Sequence, residues 1–414
     1  MMRDDQATSL RGALLTCDPQ GEVQYFDDRV IDIVDGKIAA IRHPDAQSPP
    51  PSEHLWLPGF VDLHCHWPQS HIRGRFAGAL LPWLREHIWP AEITFSDEKI
   101  AHQHGRKFLW QLQRAGTTAA LLFGPPFTQA SRTLLSLSPD GFFEGPALME
   151  CNCPDEMVSD LDEALESIAQ LPVDLLKRTV ISPRFAPNLS TAGLRKTGDF
   201  ARRSDLLVQS HLSENLDEVQ WVADLFPDSD SYTDVYHRAG LLGPKTIMAH
   251  AIHLSDQELQ RLAQTGTLIA HCPTANEALG SGRMPVERMD AAGINWVLAT
   301  DVGAGPLLSQ LHVMRVCMEQ HQQAGVDVSA CEAFKRATWT PGQWLTQHNP
   351  RLKGLGTIMV DGPAHLIRFN RPRATQAEAV IRCILDRPED QFELAPDEVI
   401  VWGSRLAIAA QSEL

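Results

Sequence analysis

Eight short apolar segments, separated by longer amphipathic stretches, constrain the fold of this chain more than any other feature of its sequence. From residue 58 onward, segments with the length and apolar run of buried strands alternate with stretches such as Glu214–Phe226 that have helical periodicity. Eight strand–helix units fit a closed parallel barrel, which needs roughly 250 residues. The predicted strands are Gly59–His64, Thr117–Gly124, Pro146–Asn152, Thr179–Arg184, Leu206–His211, Thr246–His250, Leu268–Cys272 and Trp296–Asp301.

The two ends of the chain predict a second, smaller domain made of β-structure. Two strand-like pieces flank Asp35–Gly36, a dipeptide typical of a hairpin turn, and Pro49–Ser52 resembles a linker. After about residue 345 the helical periodicity fades and strand-like pieces return. The predicted strands are Arg29–Val34, Lys37–Arg42, Gly356–Gly362, His365–Phe369 and Glu398–Gly403.

These patterns together predict an α/β fold, a TIM-like (β/α)8 barrel with a small β-sandwich domain built from both chain ends. We assign residues 1–57 to the N-terminal part of the β-domain, residues 58–345 to the barrel and residues 346–414 to the C-terminal part of the β-domain. The length of 414 residues exceeds that of a usual single domain, which fits one large domain and a small one.

The charge balance argues against several classes of partner. The chain carries 36 Lys and Arg against 52 Asp and Glu, a net charge of −16, whereas nucleic acids and anionic membranes require a basic surface. No apolar run approaches the roughly 20 residues that span a bilayer, and the acidic N-terminus shows no export signal. The eight cysteines are scattered and form no Cys-x-x-Cys pair, so we expect a reducing, cytoplasmic location.

The end of the first predicted barrel strand carries a His-x-His pair. Alternate residues of a strand point to the same face, so His64 and His66 present two imidazoles side by side, a ready metal chelate. The same spacing at His102 and His104 falls in a stretch with helical periodicity, where residues two apart diverge. We therefore interpret the first pair as metal ligands and the second as part of a solvated helix face.

Polar side chains gather at the carboxyl ends of the predicted barrel strands, the face on which such barrels build their chemistry. A single histidine at a strand end is usually a hydrogen-bonded core residue, and a single aspartate is often a helix cap. Several of them at one barrel mouth are instead expected to converge on a site. Besides His64 and His66, these residues are Arg184, Phe185, His211, Glu214, His250, His271 and Asp301.

Three imidazoles and one carboxylate, with a position left for water, are typical of a catalytic zinc site. Some barrel hydrolases bridge two metals with a carboxylated lysine at the end of strand four, but Ser182–Phe185 occupies that position and Lys177 lies before the strand. We therefore predict one metal ion. Glu214 follows His211 closely enough to carry a proton to a substrate ring nitrogen; the alternative is that it only stabilises the start of a helix.

Longer motifs around these residues resemble the amidohydrolase superfamily, and within it the guanine deaminase family, over nearly the whole chain. The motifs are Pro58–Gln69, Trp83–Glu92, Pro183–Pro187, Gln209–Glu218 and Thr300–Gly303. The resemblance implies one zinc ion per chain and a homodimer. The zinc ligands that it implies are His64, His66, His211 and Asp301. The residues that it implies for proton transfer are Glu214, His250 and Asp301, and those for holding the purine are Gln69, Arg184 and Phe185.

The reaction implied by this resemblance is the hydrolytic deamination of guanine to xanthine and ammonia. Asp301 would take a proton from zinc-activated water and pass it to the ammonia, while Glu214 protonates the ring nitrogen and His250 orients the nucleophile. The other zinc signature for base deamination, His-x-Glu with Pro-Cys-x-x-Cys, is absent from the sequence. The expected partner is thus a small purine, with no nucleic acid and no membrane.

The sequence departs from the family pattern at three points. Glu277 stands where an apolar residue is usual, Pro306 lies in a loop that is usually rich in Gly, Thr and Ser, and His365 replaces an aspartate. The first two flank the predicted site, which leaves open a related substrate such as a pterin, a triazine or 8-oxoguanine. A non-catalytic scaffold relative is the alternative from another class, and the complete ligand set argues against it. His271 keeps its structural interpretation.

Overall fold

The structure, a computed structural model, describes residues 8–76 and 78–406. The chain divides into two compact units. The first, called the β unit here, contains the described residues up to Asp62, Trp110–Ala119 and those from Leu307 onward. The second, called the barrel unit, contains Leu63–Leu109 and Ala120–Pro306. The domain boundaries at residues 57/58 and 345/346 stay a prediction.

The elements follow the alternation that the sequence predicts. The strands are β1 (Thr8–Cys17), β2 (Val23–Val34), β3 (Lys37–Arg42), β4 (His54–Pro58), β5 (Phe60–His66), β6 (Thr117–Phe123), β7 (Phe142–Gly145), β8 (Ala147–Leu148), β9 (Val180–Pro183), β10 (Leu207–Leu212), β11 (Thr246–His250), β12 (Leu268–His271), β13 (Trp296–Leu298), β14 (Leu366–Asn370), β15 (Glu398–Val401) and β16 (Ser404–Arg405). The α-helices are α1 (Leu80–Trp83), α2 (Trp89–Ile93), α3 (Glu98–Arg114), α4 (Thr128–Leu137), α5 (Leu161–Ala169), α6 (Val173–Leu176), α7 (Thr191–Ser204), α8 (Leu216–Leu225), α9 (Tyr232–Arg238), α10 (Asp256–Thr265), α11 (Pro273–Ala278), α12 (Val286–Ala291), α13 (Gln310–Gln323), α14 (Ala330–Ala337), α15 (Trp339–His348) and α16 (Ala377–Leu385). Within the described ranges, no helix is both long and apolar enough to cross a membrane.

The barrel unit is built on parallel strands. Strands β8 to β13 form one sheet in sequence order, and each neighbouring pair is parallel, with Val208 of β10 opposite Thr246 of β11. Nearly every residue of these strands is buried, as expected where helices cover a parallel sheet. The first and last strands meet where the amide of Asp301 donates to the carbonyl of His64 at 2.9 Å. The predicted α/β barrel fold is confirmed.

The predicted barrel strands match the observed ones to within three residues at each end, except the third. The sequence predicts that strand at Pro146–Asn152, whereas β7 begins at Phe142 and a two-residue β8 follows. The prediction is wrong because Pro146 does not start the strand but interrupts it. A proline has no amide hydrogen for the strand ladder, so pairing stops at Gly145 and resumes at Ala147.

The β unit contains a seven-stranded mixed sheet in the order β16-β15-β14-β4-β1-β2-β3. The hairpin predicted at Asp35–Gly36 is confirmed, since β2 and β3 pair in antiparallel and both turn residues have positive φ, 50° and 76°. Buried apolar side chains from both ends of the chain form a core on this sheet. They include Leu10, Leu14, Ile31, Ile33, Ile38, Trp56, Ile358, Leu366 and Ile400.

Two features near the C-terminus differ from the prediction. Gly356–Gly362 is not a strand, because positive φ values at Gly356 (72°) and Asp361 (66°) turn the backbone away from an extended course. Helix α16 was not predicted, although its apolar residues recur at helical spacing. Four of them are buried, namely Val380, Ile381, Ile384 and Leu385.

Candidate active site

Strand β5 places His64 and His66 side by side, as the strand periodicity predicts. Their Nε2 atoms lie 3.3 Å apart, and both side chains are buried. The last barrel strand approaches the same point, because the amide of His66 donates to the carbonyl of Val302 at 2.6 Å. The His-x-His pair therefore lies where the first and last strands of the barrel meet.

Two further predicted residues, from β10 and from the loop after β13, complete this cluster. The Nε2 atom of His66 is 3.1 Å from Nε2 of His211, and Oδ1 of Asp301 is 3.3 Å from His64 Nε2 and 3.4 Å from His66 Nε2. The carbonyl of Arg184 accepts a hydrogen bond from Nδ1 of His211 at 2.5 Å. This bond fixes the tautomer in which Nε2 of His211 carries a lone pair toward the cluster.

The electrostatics of the cluster favour a bound cation. Burial, reinforced by neighbouring histidines or by Arg184, lowers the pKa of His64, His66 and His211 well below the usual range. Neutral imidazoles with converging lone pairs repel one another unless a metal ion lies between them, and nitrogen and oxygen donors of this kind suit zinc. Four candidate ligand atoms lie within 4.8 Å of one another, and they belong to His64, His211, His250 and Asp301. Together with His66, the described residues thus offer more donors than one catalytic zinc ion requires.

His250 faces the cluster from the end of β11. Its Nδ1 donates to Oδ1 of Asn276 at 2.8 Å, so Nε2 carries a lone pair, 3.5 Å from Oε2 of Glu214 and 3.7 Å from Oδ2 of Asp301. Ser213, His250 and Asp301 all have left-handed backbone conformations, with φ between 47° and 73°. Non-glycine residues in this region are strained, and such strain collects at functional sites, where neighbouring structure holds it in place.

The two carboxylates of the cluster have different proton affinities. Burial and the nearby charge of Asp301 raise the pKa of Glu214 to about 8. Burial also raises the pKa of Asp301, to about 6, against the opposing effect of His250 and Arg184. Burial therefore favours the protonated form more strongly in Glu214 than in Asp301, and carboxylates whose pKa values differ in this way suit acid and base roles in one reaction.

The cap of helix α8 is made by residues other than Glu214, and the alternative that Glu214 only favours the start of this helix stays a prediction. Asn215 and Glu218 form the capping box of this helix, and the carboxylate of Glu214 instead accepts a hydrogen bond from Oγ of Ser281 at 3.1 Å. The Glu214 side chain is therefore directed toward His250 and the cluster.

A buried group of polar residues lies beside the cluster. Oε1 of Glu92 accepts from Nε2 of Gln69 at 2.7 Å, and Oε2 accepts from Nη1 of Arg184 at 2.6 Å. Phe185 packs edge-on against Trp221, with ring centres 5.7 Å apart. Together with residues of the cluster, Gln69, Arg184 and Phe185 line one pocket that is partly open to solvent. Its lining consists of His66, Gln69, Leu80, Trp83, Leu84, Arg184, Phe185, His211, Glu214, Glu218, His250, Leu279, Asp301 and Ala304.

The structure thus brings together the nine predicted site residues and adds three to which the sequence assigns no role. These residues, each in contact with a site residue, are Glu92, Asn276 and Ser281. Glu92 ends the Trp83–Glu92 motif that resembles the family, and Asn276 directly precedes Glu277, where the sequence departs from the family pattern. Other histidines lie elsewhere. The ring of His271 packs on Trp296, and His102 is exposed on α3. The solvated face predicted for His102 and His104 is wrong for His104, which is partly buried, packs on Phe95 and lies 2.8 Å from the hydroxyl of Ser70. Glu277 and Pro306 are not among the residues that line the pocket.

Fold and site together define an α/β barrel protein with a candidate metal site at the ends of its strands. The chain belongs to the amidohydrolase family, whose model matches residues 55–355.

Within this family the chain is similar to guanine deaminases. It is 35% identical to guanine deaminase of Escherichia coli (strain K12) over 292 residues, 69% of this chain and 66% of that protein. The match therefore spans just under two thirds of that relative's length, and 60% of the length of guanine deaminase from Dictyostelium discoideum. The crystal structure of guanine deaminase from C. acetobutylicum with bound guanine superposes with a TM-score of 0.87 at 28% identity, covering 97% of this chain and 100% of that one.

Proposed function

We propose that this protein is a zinc-dependent hydrolase that deaminates guanine to xanthine and ammonia. The observation that carries the proposal is the position of the buried Glu214, whose Oε2 lies 3.5 Å from Nε2 of His250, beside a cluster of imidazoles and Asp301. The similarity to guanine deaminases over most of the chain supports the choice of substrate.

One zinc ion would be held by His64, His66, His211 and Asp301. These side chains supply the three imidazoles and one carboxylate of a catalytic site, and their neutral histidines match what a metal ion requires. A bound zinc ion would make hydroxide available from water at neutral pH.

Protein side chains would move the protons of the reaction. Asp301 accepts a proton from the attacking water, and Glu214 donates its proton to the ring nitrogen beside the carbon that carries the amine. His250, with a lone pair on Nε2, orients the nucleophile through a hydrogen bond. Asp301 then gives its proton to the departing amine, the C–N bond breaks and ammonia leaves, and the hydroxyl proton on that carbon returns to Glu214 as the carbonyl of xanthine forms.

Gln69, Arg184 and Phe185 would hold the purine. In Arg184, one guanidinium nitrogen bonds Glu92, and within the described residues the others have no hydrogen-bond partner. An arginine fork donates only, and the O6 and N7 atoms of guanine are adjacent acceptors that match its geometry. The edge-on contact with Trp221 supports Phe185 as an aromatic wall of the pocket.

The test of this function is ammonia release from guanine, isoxanthopterin, a triazine and 8-oxoguanine by the zinc-loaded protein. We expect guanine to give the highest kcat/KM. Higher turnover of another heterocycle would move the assignment to that substrate, and no ammonia from any of them would overturn the proposed reaction.

Selectivity between guanine and 8-oxoguanine tests the role of Arg184. Oxidation at C8 places a hydrogen on N7, so one arm of the guanidinium would face a donor. We expect guanine to exceed 8-oxoguanine by at least about 10²-fold in kcat/KM, the scale of an unmatched polar contact in a closed site. Arg184→Ala should remove most of this discrimination while zinc stays bound. Equal rates in the unmodified protein would show that Arg184 does not read this edge.

We also expect a homodimer in the cytoplasm that acts in purine catabolism. The family resemblance supports the dimer and the pathway, and the scattered cysteines support the compartment. Light scattering of the purified protein measures the first directly.

A further inference from the structure

Glu92 on helix α2 is a charged side chain held in the barrel unit away from solvent. Its exposed fraction is 0%, and both carboxylate oxygens are engaged, one by Gln69 at 2.7 Å and the other by Arg184 at 2.6 Å. A buried carboxylate is retained only where its charge is paired and its oxygens are hydrogen-bonded. Here the two partners are polar side chains assigned above to purine binding.

The hydrogen bonds of Glu92 fix the orientation of Gln69. Because the carboxylate can only accept, the amide nitrogen of Gln69 must face Glu92, and Oε1 then accepts from the amide of Gly303 at 3.3 Å. The backbone approaches closely here, since a Cβ at Gly303 would lie 2.8 Å from Cβ of Gln69. One N–H and one lone pair of the Gln69 amide remain for a ligand.

Arg184 is constrained in the same way. Its Nη1 is anchored on Glu92, and its carbonyl accepts from Nδ1 of His211. Arg184 is therefore held both at its guanidinium group and at its backbone carbonyl. The negative charge of Glu92 also balances the positive charge of Arg184, so this wall of the pocket is close to neutral.

We propose that Glu92 is a positioning residue that aims Gln69 and Arg184 at the substrate and makes the pocket prefer a neutral purine over an anionic one. This inference rests on the proposed deamination. Xanthine carries an imide N–H between two carbonyl groups and loses a proton more readily than guanine does. A wall in which Arg184 is neutralised therefore favours the neutral substrate over the more acidic product.

A carboxylate at position 92 accepts hydrogen bonds from both Gln69 and Arg184, and it also balances the charge of Arg184. In Glu92→Gln the amide offers one acceptor and one donor, so whichever way it turns, its NH2 group faces a donor of Gln69 or of Arg184. We expect KM for guanine to rise about tenfold or more with a much smaller change in kcat, because Gln69 and Arg184 hold the purine and move no proton. Inhibition by xanthine should strengthen relative to guanine binding, because the charge of Arg184 is no longer balanced.

Glu144→Gln is the matched control. Glu144 is another buried glutamate of the barrel unit, and its Oε1 accepts from Trp67 at 3.1 Å and from Ser131 at 2.9 Å. Burial raises its pKa to about 8, so the side chain is neutral near pH 7 and glutamine replaces it closely. This variant should keep the KM for guanine and the inhibition by xanthine.

A charge-pair series keeps the test decisive if Glu92→Gln folds poorly. Arg184→Met alone leaves Glu92 buried without its counter-charge and should lower the Tm. The double variant Glu92→Gln/Arg184→Met removes both charges and should recover much of the Tm without recovering the KM. A double variant no more stable than Arg184→Met would show that the pair is not coupled and would overturn the proposal.

The test of Glu92 can fail without the proposed deamination failing, and the reverse also holds. Ammonia release by the unmodified protein tests the reaction alone, and the Glu92 comparison then uses whichever heterocycle is turned over, or guanine affinity by calorimetry if none is. An unchanged KM or Kd in Glu92→Gln, or a xanthine-to-guanine preference equal to that of Glu144→Gln, would overturn the inference and leave the reaction standing.

Discussion

At the scale of single residues, the most informative feature is that two buried carboxylates in one cluster differ in proton affinity. The pKa of Glu214 is raised to about 8 and that of Asp301 to about 6, in both cases chiefly by burial. Carboxylates whose environments separate their pKa values are suited to act as acid and base in one reaction.

Replacing Glu214 by glutamine tests its role as proton donor. Glu214→Gln keeps a hydrogen-bond acceptor for Ser281 but cannot deliver a proton, so we expect a loss of about 10²-fold or more in kcat with zinc content unchanged. Steady-state kinetics and metal analysis measure both. Near-normal turnover with a lowered Tm would remove Glu214 from the mechanism.

Glu144 gives a stability prediction with a defined pH window. Its pKa is raised by burial from the usual 4.5 to about 8, so the folded protein holds this proton more tightly than the unfolded chain. The resulting stabilisation is complete below pH 4.5 and is lost as the pH rises through about 8. Glu144→Gln cannot ionise, so its Tm relative to the unmodified protein should be higher at pH 9 than at pH 5. A difference that does not change between these values would contradict the shift.

At the scale of elements, the N-terminus of helix α8 positions Glu214, the proposed proton donor. The buried Glu218 accepts hydrogen bonds from the amide of Glu214 at 2.9 Å, from the amide of Asn215 at 3.2 Å and from the hydroxyl of Tyr232 at 2.7 Å. The capping box therefore satisfies the start of the helix and at the same time holds the backbone of Glu214.

Helix α10 provides an internal control for this cap. Its capping box uses Ser255 and Glu258, and Glu258 also accepts from the amide and hydroxyl of Thr233 rather than from the amide of Glu214. We expect both Glu218→Ala and Glu258→Ala to lose about 1–3 kcal/mol of stability through unsatisfied donors. Only Glu218→Ala should also lower kcat, because Glu214 shifts. Equal kinetic losses in the two variants would point to general destabilisation instead.

The sequence predicted those parts of the molecule that local periodicity controls. His64 and His66 follow from alternation along a strand, and the residues at later strand ends follow from the shared face of parallel strands. Contacts between distant segments could not be predicted in this way. No local sequence pattern indicates that Glu92 contacts Arg184, because the two residues lie far apart along the chain. The only sequence signal near Asn276 is that the next residue, Glu277, departs from the family pattern.

At the scale of the whole molecule, the proposal of one metal ion per chain can be tested directly. We expect about one zinc ion per chain by elemental analysis, loss of activity on treatment with a strong chelator, and recovery on adding zinc. A cation that binds only the folded chain also raises the Tm, by an amount that grows with its concentration. Two metal ions per chain in active protein, or full activity without any, would contradict the single-ion site.

The hydrogen bond between Asp301 and His64 has a consequence for how the protein is made. Two implied zinc ligands lie on opposite sides of the seam that closes the barrel, and 237 positions separate them along the chain. A cation bound by both residues would hold that seam together and so offset part of the entropy cost of closing this long loop. During synthesis the full ligand set cannot form until Asp301 has left the ribosome, so we expect full zinc affinity only once the last barrel strand has been made.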